Sequence, residues 1–116
     1  WPFPGQKTAS GTHFLLKGPD NGRLVVFIHG IGSYSACFDQ LAAALVSEGR
    51  RTLQYDLMGR GWSEPAKDKI DYGGPGHVTQ LRELLTELGL QDEPRDIVAH
   101  SMGGALAVLY LDAFRV

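Results

Sequence analysis

Short apolar runs that end in polar or glycine-rich turns set the pattern of this chain. Leu24–Ile28 (LVVFI) is continuously apolar and mostly β-branched, which is typical of a strand buried on both faces. Thr52–Tyr55 and Asp96–Ala99 are shorter candidate strands. A further strand over Thr12–Lys17, followed by the turn signal of residues 19–22 (PDNG), predicts a hairpin into Leu24–Ile28.

Between the candidate strands, apolar residues recur at helical spacing. They do so over residues 38–45, where Ser33 is the predicted helix cap, and over residues 78–88. From Met102 onward the pattern is apolar nearly all round, which predicts a buried helix. Strands that alternate with helices of this length indicate an α/β fold with a mainly parallel sheet flanked by helices. The 116 residues fit one domain, residues 1–116.

Composition narrows the function classes without selecting one. Hydrophobic residues make up 43% and charged residues 21% of the chain, and the formal net charge of −2 comes without a basic cluster of the kind that binds nucleic acid. The apolar run Ala105–Leu111 is too short to span a bilayer. Cys37 is the single cysteine, so no internal disulfide can form. The compartment stays open, with the cytoplasm slightly favoured.

The clearest chemical signal lies in residues 97–104, where a predicted strand passes directly into a helix with Ser101 at the junction. A serine that faces a substrate from such a turn needs a strained backbone and small residues two positions away, and Ala99 and Gly103 meet that need. The free N–H groups of the new helix would stabilise an oxyanion, with the Met102 N–H as the natural donor. The alternative is that Ser101 only caps the helix.

A second turn, His29-Gly30-Ile31-Gly32, ends the first buried strand. Because the carboxyl ends of parallel strands share one edge of the sheet, we expect this turn beside Ser101. A glycine-rich turn can bring a backbone N–H close to a reacting carbonyl, so we expect Ile31 to supply the second oxyanion donor and His29 to brace the loop. The alternative is a simple strand-ending turn.

A third stretch, Asp56–Ser63, follows the next strand and contains Gly59-x-Gly61. The third glycine of a dinucleotide-binding fingerprint is absent, and no helix starts at once. We therefore interpret this stretch as a tight structural loop in which Asp56 anchors backbone amides, rather than as a phosphate cradle. We expect neither a cofactor nor a metal, since the sequence contains no ligand cluster.

Together these motifs resemble the α/β-hydrolase family: the His-Gly turn at residues 29–30, the D-x-x-G-x-G-x-S loop of Asp56–Ser63 and the nucleophile elbow of Ala99–Gly103 stand in the family's order. The resemblance extends from about Thr12 to the C-terminus. It implies a serine esterase, lipase, thioesterase or related hydrolase that forms an acyl-enzyme on Ser101 from a small ester-like substrate. It also implies oxyanion donors after the His-Gly turn and after the serine.

The chain departs from the family pattern in two ways. Ala99 stands where the elbow usually has glycine, a variant that looks like some bacterial lipases. Only 15 residues follow Ser101, so the acid and the histidine that the family places after the serine match no position. His100 is expected to point away from the serine hydroxyl, and His77 is the least implausible substitute base. A serine at this position also disfavours the branches with an aspartate nucleophile, the epoxide hydrolases and haloalkane dehalogenases.

We therefore expect the N-terminal portion of an α/β-hydrolase domain that lacks the C-terminal strands and is inactive alone. The strand Asp96–Ala99 would then have an open edge, which missing C-terminal sequence or another chain could complete. A start at Trp1 without an initiator methionine fits a processed form or an excised piece. Two other hypotheses stay open: a non-catalytic module that binds a ligand or a partner chain, and a peroxidase-like or C–C bond-cleaving member of the fold.

Overall fold

The chain folds into a five-stranded sheet with helices on both faces. The computed structural model describes residues 5–68 and 72–114. The strands are β1 (Gln6–Lys7), β2 (His13–Lys17), β3 (Leu24–Ile28), β4 (Arg51–Tyr55) and β5 (Arg95–Ala99). A 3₁₀ turn (Ser35–Phe38) leads into helix α1 (Asp39–Ser47), and the other helices are α2 (Gly74–Glu87) and α3 (Met102–Ala113). None of the helices in these two ranges is long and apolar enough to cross a membrane.

The strand order is β1-β2-β4-β3-β5. β3 pairs in parallel with both β4 and β5, whereas β1–β2 and β2–β4 are antiparallel pairs. The α/β class and the flanking helices are thus confirmed, and the sheet is mixed, with three parallel strands at one side. The predicted lead-in over residues 1–10 contributes β1, and its residues 1–4 lie outside the described residues.

The predicted hairpin from β2 into β3 is wrong. β2 pairs with β4 instead, with Phe14 opposite Tyr55 and Lys17 opposite Thr52. The physical reason lies in β3, all five residues of which are buried. Such a strand is most stable between two neighbours, and β4 and β5 take those places. β2, which ends in the exposed Lys17, lies further out.

The core has two layers because side chains alternate across β3. Val26 and Ile28 face α2 and α3, in a cluster that also contains Leu53, Leu84 and Tyr110. On the other face a smaller cluster lies under α1 and consists of Val25, Phe27, Phe38 and Ala42, with the rings of Phe27 and Phe38 5.0 Å apart. Helices on both faces explain why LVVFI carries no polar residue.

Helix α1 and its entry differ from the prediction. Ser33 does not cap the helix, because the chain first makes the 3₁₀ turn, whose N-cap is Tyr34. α1 then contacts the sheet along a narrow stripe. Ala42 is its buried residue, and Leu41 remains 44% exposed.

Helix α3 is not buried all round. Leu106, Ala107 and Tyr110 pack on the sheet, but the outer face exposes Val108, Leu109 and Leu111 by 67%, 45% and 49%. β5 pairs only with β3 among the described strands, so its other edge is open. An apolar helix face and an open strand edge both favour association with another polypeptide.

We expect the 116-residue chain to self-associate when it is made alone, through the outer face of α3 and the edge of β5. Val108→Lys should shift the sedimentation profile toward the monomer, because a charge on this face opposes apolar contact. Ala43→Lys, on an exposed position of α1, adds the same charge elsewhere and should not. A monodisperse wild-type monomer that unfolds cooperatively in thermal melts would contradict this expectation.

Candidate active site

At the carboxyl ends of the neighbouring strands β3 and β5, the chain leaves the sheet toward opposite faces. After β3 the chain turns to α1 on one face of the sheet, and after β5 it turns to α3 on the other. The register places Ile28 opposite Ala99, and the His100 N–H donates to the Ile28 carbonyl at 3.1 Å. Ligand sites in open α/β sheets lie at such a point. The structure therefore brings the His29-Gly30 turn and Ser101 to one edge of the sheet.

Ser101 has a strained backbone. It is the one non-glycine residue with a positive φ in the described parts of the chain, with φ 57° and ψ −124°. Such a conformation costs on the order of 1–3 kcal/mol and persists only where the surroundings impose it. Ser101 occupies the N-cap position of α3 and is exposed, but its hydroxyl makes no capping hydrogen bond. The Ser101 hydroxyl therefore does not cap the helix by a hydrogen bond.

Small residues allow the turn to pack. A Cβ atom on Gly103 would collide with the carbonyl oxygen of Ile28 and would lie 2.8 Å from that of His29. A Cβ atom on Gly30 would lie 2.9 Å from the Cβ of Ser101. The glycine predicted after the serine is thus required by the close approach of α3 to β3. Ala99, which is half-buried, is accommodated on the other side of the turn.

The N–H groups of Ile31 and Met102 have no acceptor among the residues that the structure describes. Met102 is the first residue of α3, where N–H groups lack partners within the helix and carry the positive end of its dipole. The Ile31 side chain is 68% exposed at the same edge, and that of Met102 packs against the core. Free N–H groups on two adjoining loops can donate to a developing negative charge.

His29 is hydrogen-bonded within the turn that follows β3 and to the loop after Asp56. It is buried, with Nδ1 2.9 Å from the Gly30 carbonyl oxygen, and its Nε2 accepts a hydrogen bond from the Leu57 N–H at 2.9 Å. Burial lowers the pKa of His29 below its ordinary value of 6.5, and the positive charge of Arg60 adds to this, although the Gly30 carbonyl and Asp56 oppose it. Because the His29 ring is buried and both of its nitrogens are hydrogen-bonded elsewhere, it does not act as a base at Ser101.

Asp56 anchors backbone amides, which confirms the structural interpretation of the Asp56–Ser63 loop. Its carboxylate accepts the Ser35 N–H at 2.7 Å and the Trp62 N–H at 2.9 Å, and His13 Nδ1 lies 2.7 Å from it. We call these four residues the Asp56 network. Burial by itself would raise the pKa of Asp56, but the bonds from Trp62, Ser35 and His13 hold it below 3.8. A Cβ on Gly61 would collide with this carboxylate, so the loop packs directly on Asp56.

Two buried glutamines were missed by sequence reasoning. Gln54 donates to the Ser35 carbonyl at 2.9 Å, so the Ser35 carbonyl is held by a β4 side chain and its N–H by Asp56, the residue after β4. Gln80 on α2 donates to the Asp56 carbonyl at 3.0 Å and accepts the Met58 N–H at 3.1 Å. The available signal was a polar residue at a position that the periodicity assigns to the core.

None of the four histidines makes a hydrogen bond to the Ser101 hydroxyl within the described ranges. His13 and His29 are committed to the contacts above. His77 is buried in α2, where burial and Arg60 lower its pKa below 6.5. His100 is exposed beside the serine. The structure therefore places no substitute base at Ser101.

A cavity of about 810 Å³ lies elsewhere, between the turn at residues 9–12, the loop at 64–67 and α2. Neither Ser101 nor the His29 turn lines it, so it is not the site that the sequence predicts. Residues 5–68 and 72–114 contain no group of three or more His, Cys, Asp or Glu side chains that could hold a metal ion.

Comparisons with known proteins identify relatives of the whole described fold. The profile of the serine aminopeptidase S33 family matches residues 19–115. The chain is 36% identical over 104 residues to the non-heme chloroperoxidase of Kitasatospora aureofaciens, an overlap of 90% of this chain and 36% of that protein. It is 34% identical over 99 residues to methylesterase 7 of Arabidopsis thaliana, covering 82% and 36% respectively. The chain thus spans about a third of the length of these relatives.

Solved structures agree with the sequence matches. The thioesterase domain from the curacin biosynthetic pathway superposes with a TM-score of 0.80 at 25% identity, over 93% of this chain and 40% of that domain. An epoxide hydrolase mutant of Vigna radiata gives a TM-score of 0.78 at 28% identity, over 88% of this chain and 31% of the enzyme.

We expect Gly103→Ala to destabilise the fold by about 3 kcal/mol, because its Cβ would meet two backbone carbonyls that cannot easily move. Gly104→Ala is the matched control. It lies in the same helical turn with open space around its Cα, so it should be neutral or stabilising by up to about 1 kcal/mol. Urea unfolding of both variants measures the difference, and equal midpoints would contradict the required close approach.

We expect stability to fall as the pH drops below about 6.5, the ordinary histidine pKa. Because burial lowers the pKa values of His29 and His77, the unfolded chain binds protons first, and stability rises with pH in this window. A second loss follows below 3.8, as Asp56 becomes protonated. Thermal unfolding midpoints between about pH 7.5 and about pH 5.5 measure the first effect.

The control variants separate buried from exposed histidines. His77→Phe removes one buried imidazole and should reduce the change in midpoint over this pH range, whereas His100→Gln at an exposed position should not. If His77→Phe and wild type showed the same pH dependence, burial of His77 would not be its source.

Proposed function

The chain belongs to the serine aminopeptidase S33 family and has the α/β-hydrolase fold, and from this premise we propose that Ser101 is the nucleophile of a serine hydrolase. The substrate class that we propose is a small carboxylic ester or related acyl compound. The observation that carries the proposal is the strained, exposed Ser101 directly before the free N–H of Met102. Strain at one non-glycine residue is typical of a functional site.

In the proposed reaction the Ser101 hydroxyl oxygen attacks the substrate carbonyl carbon and loses its proton to a general base. The carbonyl oxygen becomes an oxyanion, to which the N–H groups of Ile31 and Met102 donate. The carbon–oxygen bond to the alcohol then breaks, the alcohol leaves with the proton from the base, and the acyl group stays on Ser101. Water then attacks the acyl carbon and gives a proton to the base. The bond to the Ser101 oxygen breaks, the carboxylic acid leaves, and the base returns the proton to the serine oxygen.

The base and its acid partner have no match in these residues, so the proposal places them in polypeptide outside this chain. A serine hydroxyl without a base stays protonated at neutral pH and is a poor nucleophile. We therefore infer that the 116 residues alone are close to inactive. The serine at position 101 also supports serine chemistry over the carboxylate nucleophile of the aspartate branches.

A second candidate function rests on the similarity to the Kitasatospora chloroperoxidase, which is 36% identical over 104 residues. In that case the same acyl-Ser101 ester would be attacked by hydrogen peroxide instead of water. A requirement for peroxide in product formation separates the two candidates, since both use Ser101.

An active-site fluorophosphonate probe tests the proposal. We expect it to label Ser101 in the native polypeptide that carries this sequence, and to label the isolated 116-residue chain at least about 10³-fold more slowly, because the base is missing. Ser101→Ala should abolish labelling. Ser33→Ala, in the loop after Gly30, removes a nearby hydroxyl and is the matched control.

Mass spectrometry of the labelled peptide locates the modified residue. A native polypeptide that resists the probe while folded would reject the nucleophile and favour the non-catalytic binding module. Labelling that persists in Ser101→Ala would reject Ser101 itself.

A further inference from the structure

We propose that His29 is a positioning residue that sets the direction of the Ile31 N–H through the peptide unit joining Gly30 to Ile31. The inference deepens the serine-hydrolase function proposed above and rests on it, because the Ile31 N–H matters as a donor to the oxyanion. His29 touches neither substrate nor Ser101 in this proposal. It acts on the reaction through a backbone group.

The hydrogen bonds of His29 define its tautomer. The Leu57 N–H donates to Nε2 at 2.9 Å, so Nε2 carries no hydrogen. Nδ1 lies 2.9 Å from the Gly30 carbonyl oxygen, which can only accept. His29 is therefore neutral, with its hydrogen on Nδ1, in agreement with the lowering of its pKa by burial.

The bond from Nδ1 fixes a peptide plane. The peptide between Gly30 and Ile31 is trans, so its carbonyl and its N–H point in opposite directions. The Gly30 oxygen accepts from His29 Nδ1 at 2.9 Å and from the Ser33 N–H at 3.3 Å. With the oxygen held toward these donors, the Ile31 N–H must point away from the His29 ring. It is the group without an acceptor described above.

The local sequence only partly restrains this peptide. Its rotation changes ψ of Gly30 and φ of Ile31, and Gly30 has no side chain that would limit ψ. Gly30 must remain glycine because a Cβ would lie 2.9 Å from that of Ser101. A peptide that follows a glycine is less restrained than one that follows a residue with a Cβ atom, and the imidazole supplies an additional restraint.

His29 is itself held in place. The Leu57 N–H that binds Nε2 belongs to the residue after Asp56, and the Asp56 carboxylate accepts the Ser35 N–H at 2.7 Å. The turn from His29 to Ser35 is therefore fixed at both ends by the same loop. This coupling explains why a buried histidine, rather than an apolar residue, stands directly after β3.

Two substitutions separate the two contacts of the ring. In His29→Asn the side-chain amide nitrogen takes a place similar to that of Nδ1 and can donate to the Gly30 oxygen, while the acceptor for Leu57 is lost. In His29→Gln the amide oxygen reaches toward the Leu57 N–H, while the donor to Gly30 is lost. Each variant leaves one buried partner unpaired, so their thermal stabilities should be similar.

We expect His29→Gln to lower kcat for p-nitrophenyl acetate in the native polypeptide about 10²-fold with KM nearly unchanged, because the misaligned N–H acts on transition-state charge. His29→Asn should lose at least about tenfold less. All assays are run below the unfolding midpoint of the less stable variant. Equal rate losses in the two variants would overturn the proposal, since a purely structural role does not distinguish them.

NMR of the ¹⁵N-labelled native polypeptide tests the geometry independently of catalysis. His29 is expected as the neutral tautomer with hydrogen on Nδ1, and the Ile31 amide resonance should move in His29→Gln more than in His29→Asn. An Nε2–H tautomer, an imidazolium at neutral pH, or identical Ile31 shifts would overturn the inference. If these readouts hold while Ser101 proves unreactive, the proposed function fails and the positioning of Ile31 stands as a structural fact.

Discussion

The first turn of α3 lies directly against the carboxyl end of β3, and much of the candidate site depends on this contact. Gly103 faces the carbonyl oxygens of Ile28 and His29, so no other residue fits there. To reach this position straight from β5, the backbone must reverse within the Ser101 residue, which explains its positive φ. The same reversal leaves Met102 at the helix start with its N–H free. One packing contact thus produces both the exposed hydroxyl and a donor beside it.

The second constraint is a buried charge. The Asp56 carboxylate is kept ionised by hydrogen bonds from two backbone N–H groups and by His13, since burial without them would favour the neutral form. Those bonds join β2, the turn after His29 and the loop at Trp62. In the proposed reaction, a loop fixed in this way would let the Ile31 N–H meet the developing charge with little reorganisation.

The sequence predicted the parts of this architecture that depend on local chemistry. LVVFI identified β3, and the small residues around Ser101 identified the strained turn. Strand pairing was not predictable in the same way, because the place of β2 beside β4 results from competition among strands for the centre of the sheet. The roles of Gln54 and Gln80 were also hidden, since their partners lie 15 or more residues away in the chain.

The Asp56 network has a consequence for sequence divergence. It holds the backbone of Ser35 and Trp62 through their N–H groups, whereas the side chains of Ile31, Tyr34 and Trp62 are exposed by 68%, 51% and 42%. Under the function proposed above, replacing those side chains would alter the surface that meets the substrate without disturbing the hydrogen bonds of the Asp56 network. In that case substrate preference could change through single substitutions at these exposed positions, while the backbone around Ser101 keeps its conformation. A scaffold with this division suits relatives as different as a methylesterase and a chloroperoxidase.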